Sequence, residues 1–165
     1  IRTKANNYLA LEQPYSGETQ VVHYLEMLRD IVGFDKIAAA VKNPVKRKIG
    51  AYYGCLLLRP GNVMAFDNPE NPSIIEDFLK ALGATPVKYP MRNECCGAYV
   101  AFKDAELPRK RSGSVISSAV ENGAEEIVTA CPLCLYNLRK YSGGAVKITY
   151  FTELLAEALG VKDDE

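Results

Sequence analysis

The chain has 165 residues, of which 48% are hydrophobic and 24% are charged. These values are typical of a folded globular domain and exclude disordered and collagen-like chains. Twenty basic and twenty acidic residues give a formal net charge of zero, so no overall field favours nucleic acid or an anionic membrane surface. No apolar run approaches the length that a membrane-spanning helix needs.

Residues 1–44 are predicted to form a leading helical segment, followed by the main domain over residues 45–165. Apolar residues at helical spacing predict an amphipathic helix over 19–32, which Gly33 should end. A second, short helix over 37–41 should end before Pro44, because the residue before a proline is pushed out of helical geometry. Since the sequence does not begin with methionine, we interpret it as part of a longer chain.

Strands and helices alternate from Lys48 onward. Strands are predicted over 49–53, 85–89, 126–130 and 146–149. A helix should follow each strand. The first should open at Asn71-Pro72-Ser73 and close at Gly83, and the second should span 108–122. The third should begin at Pro132, and the fourth should run from a Thr152 cap to Gly160. Residues 59–69 are rich in turn formers and are predicted to be a loop. The alternation predicts an α/β fold, with a small sheet of about four mainly parallel strands flanked by helices.

The five cysteines follow three of the predicted strands. Cys55 comes just after the first strand, Cys95 and Cys96 a few residues after the second, and Cys131 just after the third, with Cys134 beyond it. Ligands of open α/β sheets bind outside the carboxyl ends of the strands. We therefore expect all five sulfurs to meet at the C-terminal edge of the sheet.

This cysteine pattern favours metal binding over disulfides. Five is an odd number, and a domain of this size does not need disulfides to fold. No feature marks secretion, so we expect a reducing cytoplasm in which the thiols stay free. A structural zinc takes four ligands, whereas sulfur-only ligation by five residues suits iron–sulfur chemistry. Zinc with one bystander cysteine and a thioredoxin-like dithiol at Cys131 and Cys134 remain alternatives.

The cysteine spacing resembles the CCG cysteine-rich family, to which the B-type subunit of heterodisulfide reductases belongs. The resemblance rests on Cys55, on Cys95-Cys96-Gly97 and on Cys131-Pro132-Leu133-Cys134, so it includes every cysteine of the chain. It implies a noncubane 4Fe–4S cluster held by Cys55, Cys95, Cys96, Cys131 and Cys134. Family members commonly carry histidine beside the first cysteine, where this chain has Leu56, which leaves the substrate open.

The resemblance also implies a role in electron transfer. A protein like the B-type subunit would pass electrons to or from a disulfide or thiol substrate, with other iron–sulfur and flavin subunits as partners. The B-type subunit usually carries two copies of the motif and this sequence carries one, so we interpret the chain as the C-terminal domain, incomplete for catalysis by itself. The alternative is a zinc-binding or metal-free structural module that binds another subunit. The cluster could also be absent from an isolated fragment.

Several residues outside the cysteines have two interpretations each. His23, the only histidine, is either a proton donor or hydrogen-bond partner near the cluster, or a packed or surface side chain. The basic residues Arg59, Lys103, Arg109, Lys110 and Arg111 either balance an anionic cluster or form solvated faces. Four tyrosines near the cysteines either shield the cluster or pack in the core: Tyr52, Tyr53, Tyr99 and Tyr136.

Overall fold

A computed structural model describes residues 1–161 of the chain. The final residues of the predicted domain, 162–165, lie outside the described part. The first half of the chain contains α1 (Arg2–Leu9), α2 (Tyr24–Met27), a π-helical turn (Leu28–Val32), α3 (Phe34–Ala40), β1 (Lys48–Tyr52), α4 (Gly61–Met64) and α5 (Ile74–Ala81). The second half contains β2 (Thr85–Val87), a 3₁₀ turn (Ala98–Val100), α6 (Glu106–Glu121), β3 (Glu126–Thr129), α7 (Pro132–Tyr141), β4 (Lys147–Tyr150) and α8 (Phe151–Leu159).

The four strands form one parallel sheet in the order β2-β1-β3-β4. Alternate residues of β1 and β3 face opposite sides of this sheet, as the pleat of a strand requires. Ile49, Ala51 and Val128 belong to one buried cluster, whereas Tyr52 and Ile127 belong to the other. Helices cover both faces, and the predicted α/β class with a mainly parallel sheet is confirmed.

The leading segment packs against the first of these clusters. Leu25, Leu28 and Ile37 are buried together with residues of β1, α5 and α8. Over residues 1–161, no helix combines the length and apolar character that crossing a bilayer requires. The division at residue 44 stays a prediction.

The predicted helix over 19–32 starts too early. It begins at Tyr24, and Val21 and Val22 lie in an exposed segment before it that has no regular secondary structure. The reason is a cap: the His23 Nδ1 atom accepts a hydrogen bond from the Leu25 N–H, and the Glu26 carboxylate accepts one from the His23 N–H. Such a reciprocal cap fixes where a helix starts. The predicted end at Gly33 is correct.

The predicted opening of α5 is correct, but the predicted cap of α8 is wrong. Ser73 is the N-cap residue of α5, although its side chain makes no capping bond; the Asp67 carboxylate instead accepts hydrogen bonds of 2.7 Å from the Ser73 and Ile74 N–H groups. Thr152 is not the cap of α8, because Tyr150 occupies that position and its N–H donates to the Glu153 carboxylate. The predicted loop over 59–69 contains α4, which is a single helical turn.

A buried polar network joins the end of β1 to the loop after β2. The side chain of Glu76 on α5 is 1% exposed and accepts a hydrogen bond from the Tyr53 hydroxyl, which in turn accepts one from the Ile75 N–H. The Arg92 Nε atom lies 3.3 Å from a Glu76 carboxylate oxygen, and the Arg92 carbonyl accepts from the Tyr53 N–H. Tyr53 precedes Cys55 and Arg92 precedes Cys95, so this network links two cysteine loops.

Removing the Glu76 carboxylate should destabilise the fold strongly. Glu76→Ala would leave the largely buried Arg92 guanidinium without its counter-ion, which typically costs about 3 kcal/mol. Urea unfolding would measure this loss against Glu121→Ala, at an exposed position, where we expect a change within about 0.5 kcal/mol. Equal unfolding midpoints for the two variants would contradict the importance of the network.

Candidate functional site

The three loops that carry the cysteines leave the sheet at the same edge. Cys55 follows β1, the pair Cys95 and Cys96 follows β2, and Cys131 follows β3 and is the N-cap residue of α7. β1 lies between β2 and β3, so these loops are neighbours. The expected location of the cysteines at the C-terminal edge is confirmed.

All five cysteines are free thiols, and their sulfur atoms fall into two adjacent groups. Cys55 Sγ lies 3.6 Å from Cys95 Sγ, and Cys96 Sγ lies 3.7 Å from Cys134 Sγ. Cys131, at the N-cap of the helix that carries Cys134, is assigned to the second group because the Cys134 thiol lowers its pKa. Within residues 1–161, no three His, Cys, Asp or Glu side chains stand in the arrangement of a ready-made site for a single metal ion.

Gly54 brings the two sulfur groups close together. Its φ angle is +67°, a conformation that residues with a side chain rarely adopt. A Cβ atom at this position would lie 2.9 Å from Cys134 Sγ, closer than van der Waals contact allows. The chain therefore needs glycine here for Cys134 to lie against the loop that carries Cys55.

Side-chain donors hold the main-chain carbonyls of the loop after β2. The Tyr52 hydroxyl donates to the Glu94 carbonyl at 2.7 Å, and Arg59 donates to the Asn93 carbonyl at 2.9 Å. Arg111 Nε donates to the Cys95 carbonyl at 3.2 Å. These contacts orient the peptides immediately before and within the cysteine pair.

Asn137 and Ser112 hold the next carbonyl of the same loop. Asn137 Nδ2 donates to the Cys96 carbonyl at 2.8 Å and to Ser112 Oγ at 3.1 Å, and Ser112 Oγ donates to that carbonyl at 3.3 Å. Both side chains are buried. The site thus rests on contacts from α6 and α7, which hold the loop from the face opposite α5.

The sulfur atoms differ in acidity. The pKa of Cys131 falls to about 6 because the Cys134 thiol donates to it and the Cys134 and Leu133 N–H groups at the start of α7 face it. The pKa of Cys96 also falls to about 6, through the Cys134 thiol and the N–H of Ala98. Cys134, whose single S–H proton is shared between these two sulfurs, has a pKa far above the ordinary value. Burial and the contact with Cys95 raise the pKa of Cys55 to about 11.

The structure separates the other residues that the sequence singled out. Tyr52 and Tyr53 are buried, whereas Tyr99 and Tyr136 are mostly exposed. Arg59 and Arg111 contact the loop that carries Cys95, whereas Arg109 pairs with Glu106 on the surface of α6.

The sequence analysis did not identify Asn137, although this residue lies one turn after Cys134 on the buried side of α7. A polar residue at a helix position where the spacing predicts burial implies a hydrogen-bond partner, and this signal could have identified Asn137.

The metal-free, reduced chain should show a thiolate titration near pH 6. The pKa values of Cys96 and Cys131 in the folded chain lie below the ordinary 9.0, so their contribution to stability is complete above pH 9 and is lost as the pH falls through about 6. Absorbance at 240 nm would follow the thiolates.

Cys134→Ala removes the thiol donor and should move this step to higher pH. Cys55→Ala is the control, because it removes a thiol that titrates near pH 11 and should leave the step near pH 6 in place. A single step near pH 9 in the unaltered chain would contradict the assignment.

Comparison with known proteins agrees with this site. The chain is 30% identical over 175 residues to the 8-methylmenaquinol:fumarate reductase membrane anchor subunit of Wolinella succinogenes, an alignment that covers 99% of the chain and 61% of the relative. It is 24% identical over 162 residues to the B-type subunit of a ferredoxin:CoB-CoM heterodisulfide reductase of Methanosarcina mazei, covering 92% of the chain and 54% of the relative. An Archaeoglobus profundus protein that is named as similar to the B-type heterodisulfide reductase subunit is 31% identical over 147 residues, an alignment that covers 84% of the chain and 48% of the relative.

The chain spans about half the length of the curated relatives it matches. Residues 49–139 match the cysteine-rich domain family CCG. This region is more than half of the chain and contains all five cysteines. The chain therefore belongs to the CCG cysteine-rich domain family and resembles the B-type subunit of heterodisulfide reductases.

Proposed function

We propose that the chain is an iron–sulfur redox domain of a protein like the B-type subunit of heterodisulfide reductases. In this proposal Cys55, Cys95, Cys96, Cys131 and Cys134 hold a noncubane 4Fe–4S cluster. The observation that carries it is the meeting of five free thiols from three separate loops at one edge of the sheet.

The chemistry of the donor set fits such a cluster. The donors are all sulfur, and soft thiolate ligands select iron–sulfur clusters, zinc and copper(I). Five ligands exceed the four that a structural zinc takes. Main-chain N–H groups face several of the sulfurs, as in the 3.3 Å contact from the Gly97 N–H to Cys95 Sγ. Hydrogen bonds of this kind stabilise thiolate charge and tune the potential of a cluster.

When bound, the cluster would supply one-electron transfer. The chain's own residues would hold it and limit its contact with water. Cys96 and Cys134 are buried, whereas Cys55, Cys95 and Cys131 remain partly exposed. The partly exposed side would be where electrons pass to or from another molecule.

The names of the relatives suggest what that molecule is. Relatives of the chain are subunits of heterodisulfide reductases and of a fumarate reductase. We infer electron exchange with a disulfide or thiol substrate, and partners that are other iron–sulfur and flavin subunits, in the cytoplasm. Complete catalysis would need parts of a longer protein, since the relatives are about twice as long as the aligned region.

A zinc site is the second candidate function. It is favoured by the 3.7 Å approach of the Cys96 and Cys134 sulfur atoms, and two more of the five cysteines would have to move closer to complete the four ligands of a structural zinc, because no three such side chains of residues 1–161 already form a metal site. Such a site would hold the loops together and leave recognition of another subunit to the surface.

Metal analysis of cysteine variants would separate the two candidates. In chain reconstituted anaerobically with iron and sulfide, each single Cys→Ser change should greatly reduce the broad visible absorbance and the iron content. The zinc alternative uses only four of the five sulfurs. It therefore predicts that at least one of these variants binds zinc as well as the unaltered chain does. Cys96→Ser is the most informative variant, and unchanged iron content in it would contradict the five-ligand assignment.

Gly54→Ala should also lower the iron content. The added Cβ would meet Cys134 Sγ and push that ligand away from the loop of Cys55. Gly123→Ala is the matched control, because its φ of +88° imposes similar backbone strain while no atom lies within 4 Å of the new Cβ. Iron content should fall in the first variant and persist in the second. An equal loss in both would assign the effect to backbone strain alone.

A further inference from the structure

The His23 side chain is fixed in place by contacts on several sides. Its Nδ1 atom caps α2 by accepting a hydrogen bond of 3.1 Å from the Leu25 N–H. Its ring packs edge-on against Phe66, with centroids 5.2 Å apart, and lies 6.0 Å from the ring of Phe151. The remaining ring nitrogen, Nε2, lies 3.3 Å from the carbonyl oxygen of Ala130.

The hydrogen-bond partners assign the tautomer of this ring. The Leu25 N–H can only donate, so Nδ1 must accept and carries no proton. The Ala130 carbonyl can only accept, so Nε2 must carry the proton and donate it. His23 is therefore neutral with its proton on Nε2, and it donates to the last residue before Cys131.

A second side chain donates to the same carbonyl. The Tyr150 hydroxyl, at the end of β4, lies 3.1 Å from the Ala130 oxygen. Ala130 is 1% exposed and comes one residue after the last paired position of β3, so its carbonyl is shielded from bulk water and lies outside the strand pairing. A buried carbonyl needs donors, and His23 and Tyr150 occupy both of its lone pairs.

We propose that His23 and Tyr150 are positioning residues that fix the Cys131 peptide through the Ala130 carbonyl. This inference rests on the proposed function in that it assigns Cys131 to the metal site. The orientation of the peptide between Ala130 and Cys131 decides where the Cys131 thiol points relative to Cys134. The loop after β2 is built in the same manner, with Arg111 on the Cys95 carbonyl and Asn137 on the Cys96 carbonyl. The leading segment is accordingly part of the site, although it contains no cysteine.

Selective labelling can observe this one peptide. Ala130-Cys131 is the only Ala-Cys pair in the sequence. Chain labelled with ¹³C-carbonyl alanine and ¹⁵N cysteine therefore gives a single carbonyl-to-amide NMR correlation, from the Ala130 carbonyl to the Cys131 amide. The measurement uses the full metal-free chain under reducing conditions.

The variants separate the cap from the carbonyl contact. In His23→Asn, the side-chain oxygen of Asn can replace Nδ1 as the helix cap, since Asn is among the best N-cap residues. The Asn side chain is too short, however, to reach the Ala130 carbonyl. The Ala130 carbonyl resonance should move upfield, as it should in Tyr150→Phe. His23→Gln restores a donor of similar reach and should return the resonance toward its original position. Tyr8→Phe, at a tyrosine that is 90% exposed on α1, is the control and should leave it unchanged.

A second readout tests the consequence for the metal. In the reconstituted chain, His23→Asn and Tyr150→Phe should each release iron to a chelator roughly two to ten times faster. This is about the factor by which the net free energy of one ordinary hydrogen bond changes an equilibrium or rate constant. His23→Gln should lose iron more slowly than His23→Asn. A carbonyl resonance that does not move in either variant would overturn the proposal, and so would unchanged iron release.

The two readouts also keep this proposal distinct from the proposed function. The NMR measurement needs no metal. If the unaltered chain takes up no iron, the proposed function is contradicted, while the resonance shift still decides whether the two side chains fix the Cys131 peptide.

Discussion

The site depends first on the order of strands in the parallel sheet. Parallel strands all present their carboxyl ends at one edge, and neighbouring strands lie about 4.8 Å apart. With β1 between β2 and β3, the three cysteine loops leave that edge side by side. Cysteines separated by as many as 79 positions in the sequence, Cys55 and Cys134, are thereby brought to one place. A sheet with β4 among these three strands would insert a loop without cysteine between them.

Strand order brings the loops together, but it does not orient them. That role falls to side-chain donors that hold main-chain carbonyls around the cysteines: Tyr52, Arg59, Arg111, Ser112, Asn137, His23 and Tyr150. With these carbonyls engaged by the framework, main-chain N–H groups such as those of Gly97 and Leu133 face the sulfurs. The loops are thus preorganised for negative charge before any metal binds. Preorganisation of this kind is what a redox site needs if its ligands are to keep their places as its charge changes.

The sequence predicts the sheet and the position of the cysteines well, because both follow from strong local signals. Apolar strands alternate with helices along the chain, and cysteine placement relative to strand ends needs only the sequence order. It predicts helix starts less well. Val21 and Val22 have the spacing of a helical face, but spacing does not show whether a core exists for them to pack against, and here the His23 cap places the start after them.

Contacts between distant segments are what the sequence does not show. Asp67 caps α5 from the preceding loop, and His23 meets Ala130 across 107 positions, so neither contact leaves a local pattern. Asn137 did leave one, as a polar residue on the buried side of a helix, and such a residue implies a partner without identifying it. The sequence could thus identify the cysteines, while the residues that orient them required the structure.

If the five thiols together hold one iron–sulfur cluster, the bound metal must come with inorganic sulfide. Iron and acid-labile sulfide should therefore be measured together on chain reconstituted anaerobically. We expect several irons per chain matched by an equal amount of sulfide, with neither retained when the cysteines are replaced. One zinc per chain without sulfide, or no bound metal at all, would contradict the cluster.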